Sequence, residues 1–274
     1  MVSKRAARRL LCLALLLGLT TALAIAALQP QTAMEDVNAP PRYMRVPHRL
    51  HDGPTLRLAT KDDLDGIMRI VRAGFPDDPE VDYRFPARGT YPEDYLKWTR
   101  LEYEHYIEQP DKFVVHLAEI PDHSGSEVVM EPVALAVWDT AVLTKANGTD
   151  EGLDERRDAN KEHCKAFTES AGKAFAKYFA KYAEKQIHLW LIVTHPNFRR
   201  RGAGSVLMKW GIDAAEQKGW PVTVFASPMG ELLYSHLGFS RIATKIVQVD
   251  DEPQKLTSAI MEKQSKQGLL EGLL

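Results

Sequence analysis

An α/β fold is the class this sequence predicts, on three observations. Short runs with strand alternation and longer runs with helical spacing follow one another along most of the chain. Between Ile187 and Val249 they form one unit of strand, glycine loop, helix, strand, short helix and strand. The 274 residues are 45% hydrophobic and 26% charged, which is enough apolar material for one sizeable core.

The first element stands outside that core. MVSKRAARR carries four basic residues and no acid, and Leu10 to Leu28 then runs without a charge. A run of this length and flanking charge predicts a secretory signal or signal anchor over 1–30, with anchoring in a membrane through residues 10–28 as one outcome. Ala24-Ile25-Ala26 offers a small-x-small cleavage site, and the basic flank would stay cytoplasmic, directing the chain to an endomembrane or the secretory pathway. Cysteine use points the other way. Cys12 lies in the apolar run and leaves Cys164 alone in the domain, so no internal disulfide can form. Asn147-Gly148-Thr149 is a glycosylation sequon. A cytoplasmic location follows if translation begins at Met34 or Met44, and the compartment stays open.

Residues 31–53 are rich in proline and polar groups and read as a linker to a domain over 54–250. Thr55 to Thr60 alternates like a strand, and Thr60 with Asp62 and Asp63 starts a helix whose Leu64, Ile67, Met68, Ile70 and Val71 share one face. Pro76 to Tyr91 reads as a loop. Pro92 opens a second helix to about Ile107, carrying Tyr95, Trp98, Tyr103 and Tyr106, which serve either the core or the wall of a pocket. Lys112 to Ile120 and Val133 to Trp138 read as strands. A polar loop precedes a long helix from about 160 to 185, with Cys164, Phe167, Ala171, Phe175, Tyr178 and Tyr182 at spacings of three and four. After the strand Ile187 to Thr194 comes a helix with Val206, Leu207, Trp210 and Ala214 on one face, stopped near Gly219. Pro221 to Ala226, Gly230 to Leu237 and Phe239 to Val249 then read as strand, short helix and strand. Residues 251–274 read as a polar tail ending in a peripheral helix.

The chemistry concentrates in Thr194 to Trp210, THPNFRRRGAGSVLMKW. A strand that ends in a glycine loop and feeds a helix leaves the first helical N–H groups free and aimed at one point, where the helix dipole adds positive charge. Gly202 and Gly204 would let the backbone approach an anion, and Arg199, Arg200 and Arg201 add charge. The chain has neither a GxxxxGK[ST] loop nor GxGxxG, since Leu207 occupies the third glycine position. A formal net charge of −2 argues against a nucleic-acid partner, so the arginines are a local feature. No HExxH or paired Cys/His spacing suggests a metal. Downstream, ELLYSHLGF from Glu231 to Phe239 places Tyr234 on a short helix stopped by Gly238.

With these two motifs in this order the chain resembles the GNAT family of N-acetyltransferases, in a fungal-type form. The family's [RQ]xxGx[GA] pattern matches Arg199, Gly202 and Gly204, and its LYxxLGF pattern matches Leu233 to Phe239. The resemblance implies the GNAT acyl-CoA N-acyltransferase fold, a central mixed and mostly antiparallel sheet flanked by helices, with acetyl-CoA as co-substrate and no metal. It implies that the backbone of Ile192, Val193 and Thr194 pairs with the pantetheine arm. The loop amides of Arg200, Arg201, Gly202, Ala203, Gly204 and Ser205 would hold the pyrophosphate. Tyr234 would protonate the departing thiolate, and Ser227 stands where the family commonly has Asn. The family fixes no base. Alternation puts His188 on the face of Trp190 and Ile192, and the resemblance to aralkylamine acetyltransferases would allow a histidine there. A histidine merely packed in its strand is the alternative. His195 reads as a structural loop residue, Asp213 and Glu231 as helix-surface acids.

The implied activity is direct acetyl transfer to an amine, without a covalent enzyme intermediate. The aromatic helix and the long helix 160–185, as walls of a pocket, favour a small-molecule amine over a protein tail. The alternative from another class is a non-catalytic acyl-CoA-binding protein of the same fold.

Overall fold

A computed structural model describes residues 53–124, 126–142 and 152–266. Residues 10–28 and the Asn147 sequon lie outside the described residues. Among the described residues no helix is long and apolar enough to cross a membrane.

The chain opens with β1 (Thr55–Leu58) and α1 (Leu64–Gly74). The side chain of Asp63 accepts the Thr60 amide at 2.8 Å and both Arg57 Nη atoms at 2.7 Å, which fixes the turn into α1. The segment expected as a loop from Pro76 contains a short helix, α2 (Pro79–Arg84), with Asp78 as its N-cap and Pro79 in its first turn. The aromatic helix α3 spans Pro92–Glu108. Strands β2 (Phe113–Asp122) and β3 (Val129–Asp139) form a hairpin. Helix α4 covers Lys161–Tyr178 and stops short of the expected 185, because the chain turns at Ala180–Tyr182 and buries Phe179 completely.

Next come β4 (Ile187–Thr194), α5 (Ala203–Lys218), β5 (Val222–Ala226), α6 (Pro228–His236) and β6 (Ser240–Gln248). The tail expected from 251 is not a tail. Its residues Lys255–Lys263 form β7, which pairs with β5 on one side and β6 on the other. Its apolar Leu256, Ala259, Ile260 and Met261 are buried inside a polar-looking sequence. The domain therefore runs past 250 to at least Lys263.

Among the described residues seven strands form one sheet in the order β1–β2–β3–β4–β5–β7–β6, antiparallel everywhere except between β4 and β5. On one face, Ile67, Ile70 and Val71 of α1 meet Tyr103 and Tyr106 of α3 over Leu117, Leu135, Val137 and Val193. On the other, Gly211 lets α5 lie directly on Trp138; a Cβ there would stand 2.1 Å from the indole. Gly74 has the same function at the end of α1, where a Cβ would meet Val193 Cγ2 at 2.3 Å.

Ending the chain at residue 254 removes the strand between β5 and β6. The expected result is loss of the cooperative thermal transition in circular dichroism; an unchanged melt would mean β7 is dispensable.

Candidate active site

The site begins with a break in strand pairing. The register Val137↔Leu191 and Trp138↔Leu189 leaves Trp190 as an extra residue, a bulge in β4. Parallel pairing between β4 and β5 covers Ile187–Leu189 against Val222–Val224 and stops there, so the two strands part beyond the bulge. The His195 amide donates to Val133 O at 2.9 Å, which assigns the alternate residues Val193 and Leu191 to β3. The N–H and C=O of Ile192 and the N–H of Thr194 therefore face the opening. This divides the expected pantetheine contacts. Ile192 and Thr194 present backbone groups, whereas those of Val193 are turned toward Leu135 and its side chain packs against Gly74.

The glycine loop sits at the mouth of this opening. After a tight turn at Pro196–Phe198, Arg200 and Gly202 both take left-handed backbone, at φ 65° and 88°. Helix α5 starts at Ala203 without a side-chain cap, so the amides of Ala203, Gly204 and Ser205 are left for an anion. Gly204 has a further reason to be glycine, since a Cβ would stand 3.3 Å from Leu233 of α6. The three arginines separate. Arg199 donates to Gly74 O at 3.0 Å and Thr194 O at 3.4 Å, tying β4 to α1, which gives its side chain a structural role. Arg200 and Arg201 are exposed, with the Arg201 guanidinium near the Phe198 ring. His195 accepts the Asn197 amide at 3.3 Å, a loop role.

Helix α6 places Tyr234 on the other side of the opening. Ser227 caps α6 by accepting the Gly230 amide, and Tyr234 packs against Phe239 and the bare Gly230 backbone. Tyr234 is buried and lines a cavity of about 180 Å³ together with Ser227, Asp78, Trp190 and Ile192. Burial and then the negative charge of Asp78 raise the phenol well above its ordinary value, so it stays protonated at neutral pH. Asp78 lies partly buried beside it. Burial pushes its carboxyl upward, while the Glu80 amide at 2.9 Å and the Ser227 hydroxyl favour its charged form.

Much of the remaining wall is aromatic, with Phe75, Phe85, Tyr95, Phe167, Phe175 and Phe225, and Glu80, Arg84, Glu102, Asp139 and His188 line it as well. Trp190 Nε1 donates to Tyr106 Oη at 2.7 Å, and that hydroxyl donates to Glu102 at 2.7 Å, so the bulged residue is held by a polar chain to α3.

His188 lines the same cavity, but its surroundings do not favour a base. It sits among the rings of Phe175, Phe179 and Phe225, with Nδ1 against the Thr223 hydroxyl at 2.9 Å. Burial, helped by the charge of Lys245, drives it down to about 3, so it is neutral and too weak a base to hold a substrate proton. The bulge leaves His188 on the face of Trp190 and moves Ile192 off it. Ile192 pairs with Ala136 and Leu189 with Trp138, which places Ile192 on the α5 face, opposite Trp190. Asp78 and Glu102 are the acids the sequence reading missed. The Asp78-Pro79 start signal for α2 was the available clue, concealed within an apparent loop.

His188→Gln should leave the acid limb of the pH–rate profile in place, because that limb does not belong to His188. Gly202→Val should weaken CoA binding about tenfold or more in calorimetry, through strain at a left-handed position.

Comparison with known proteins agrees with this geometry. The acetyltransferase (GNAT) family model matches residues 143–239, spanning β4, the loop, α5, β5 and α6. An acetyltransferase of the fungus Stachybotrys chartarum is 26% identical over 222 residues, covering 78% of this chain and 92% of its own. Among solved structures, mosquito arylalkylamine N-acetyltransferase like 5b is similar in fold at 16% identity and a TM-score of 0.52, covering 77% of this chain and 100% of its own. A mutant agmatine N-acetyltransferase in its apo form is similar at 15% identity and a TM-score of 0.52, covering 78% and 100%. The matched motifs and the sheet that carries them make residues 143–239 similar to the GNAT acetyltransferases and support an acyl-CoA-dependent N-acetyltransferase.

Proposed function

We propose that the enzyme carries the acetyl group of acetyl-CoA to a primary amine of a small molecule held in the aromatic cavity. One observation carries this reading: a cavity walled by helices ends at Asp78 and Tyr234, where β4 and β5 part. A protein tail would need an open groove, whereas these walls suit a compact acceptor. Two of the fold relatives are named for small amines, which is in keeping with the proposal.

The residues fit acetyl-CoA as substrate. The open edge at Ile192 and Thr194 suits the amide-bearing pantetheine arm, and the free amides of Ala203 to Ser205 suit a pyrophosphate. An incoming ammonium gives one proton to Asp78, which passes it to solvent. The neutral nitrogen attacks the thioester carbonyl, and the Ile192 N–H on the open edge is placed to donate to the oxyanion. As the C–S bond breaks, the thiolate takes the Tyr234 proton, and the nitrogen's second proton restores the phenol. Products are the amide, free CoA and one proton released.

The deciding test incubates the full chain with acetyl-CoA and an amine panel and follows free thiol. Asp78→Asn should lower kcat by roughly 10²–10⁴. Asp78 must be ionised to act and its carboxyl is raised, so the rate should fall with acid above the usual carboxylate range, and Asp78→Asn should abolish that limb. Tyr234→Phe should lose turnover while CoA binding persists. CoA binding with no turnover on any amine would return the protein to an acyl-CoA-binding role.

A further inference from the structure

Lys245 is a buried cation that the transfer chemistry leaves unused. It lies on β6 opposite Ser258, is 3% exposed, and its side chain runs inward beneath α4. Its Nζ stands 3.9 Å from the centre of the Phe167 ring and 5.0 Å from that of Phe225. Among the described residues no atom accepts a hydrogen bond from it. Ring faces attract the charge but leave the three N–H donors without an acceptor. The nearby acid, Glu80, is bonded to Arg84 at 2.9 Å, and the Arg84 guanidinium lies over the same Phe167 ring at 4.7 Å. Burial brings the Lys245 ammonium down to about 8, so most of it is still charged at neutral pH.

A buried ammonium with no acceptor is costly, and its retention calls for an acceptor supplied from elsewhere. Phe167 and Phe225 both line the acceptor cavity, along with Thr168, so the two rings that the Lys245 amine contacts are also cavity wall. For Nζ to meet a bound molecule, Phe167 has to turn aside about its side-chain bonds. Asp78 and Tyr234 provide for the amine of the acceptor; Lys245 is available to a group of opposite charge. We propose that Lys245 receives an anionic group on the acceptor, so that the substrate class is an amine with a carboxylate on its body. The inference rests on the cavity being the acceptor site.

The test compares para-aminomethylbenzoate with benzylamine, a pair differing only in the carboxylate. Each is titrated calorimetrically into the full chain without acetyl-CoA, and each is then assayed for turnover. The unmodified protein should bind the carboxylate compound roughly tenfold tighter, as expected for one charge-assisted hydrogen bond. Lys245→Met should remove that preference and leave benzylamine affinity unchanged, while Lys245→Arg should keep part of it. Equal binding of the two compounds by the unmodified protein would overturn the proposal, and that comparison needs no variant to fold. Equal weakening of both by Lys245→Met would overturn it as well. A preference that persists without turnover of either compound would count against acetyl transfer and leave the Lys245 assignment standing.

Discussion

The parting of β4 from β5 is the constraint on which the rest of the site depends. A parallel pair can be joined only by a crossover, and here α5 is that crossover, so its N-terminus lies at the carboxyl end of β4. The bulge at Trp190 turns β4 away from its parallel neighbour at the same end. One local irregularity thus exposes a strand edge, and the crossover sets a row of free helical amides beside it. Fully paired strands would leave Ile192 and Thr194 no backbone group to offer. The bulge is itself secured, because Trp190 donates into the Tyr106–Glu102 chain of α3.

Aromatic enclosure then decides which groups can change their charge. The same burial that silences His188 keeps the Tyr234 phenol protonated and raises Asp78 only as far as its amide and hydroxyl partners allow. Desolvation favours the neutral form of every group, so roles divide according to who has compensating partners. Asp78 has the Glu80 amide; His188 has only a threonine hydroxyl and rings. Lys245 is the remaining case, charged and buried with aromatic faces in place of acceptors.

Much of the site was legible because its signals are local. Gly202 reveals a left-handed turn, Ala203 onward reveals a helix start, and Tyr234 sits in a motif bounded by Gly238. Arg199, Arg200 and Arg201 look alike in the sequence, and nothing local shows that Arg199 alone reaches back to Gly74 across 125 positions. Ile192 was set on the face of His188 and Trp190 because strand alternation assumes an unbroken period of two, and a bulge is visible only in the register of both strands. Strand β7 was missed because its few apolar residues do not alternate and stand in a polar surrounding, where pairing with β5 and β6 decides its state more than its own composition does.

By itself the sequence determined the α/β class, the order of elements from β4 to β6, the anion-accepting turn and the tyrosine beyond it, since each rests on neighbours within one or two helical turns. Tertiary structure alone decided the rest: which backbone groups face the opening, that Asp78 stands beside Tyr234, and that Lys245 lies buried against the cavity's wall. These depend on contacts between residues dozens of positions apart, and on a desolvation that no residue carries in its own chemistry.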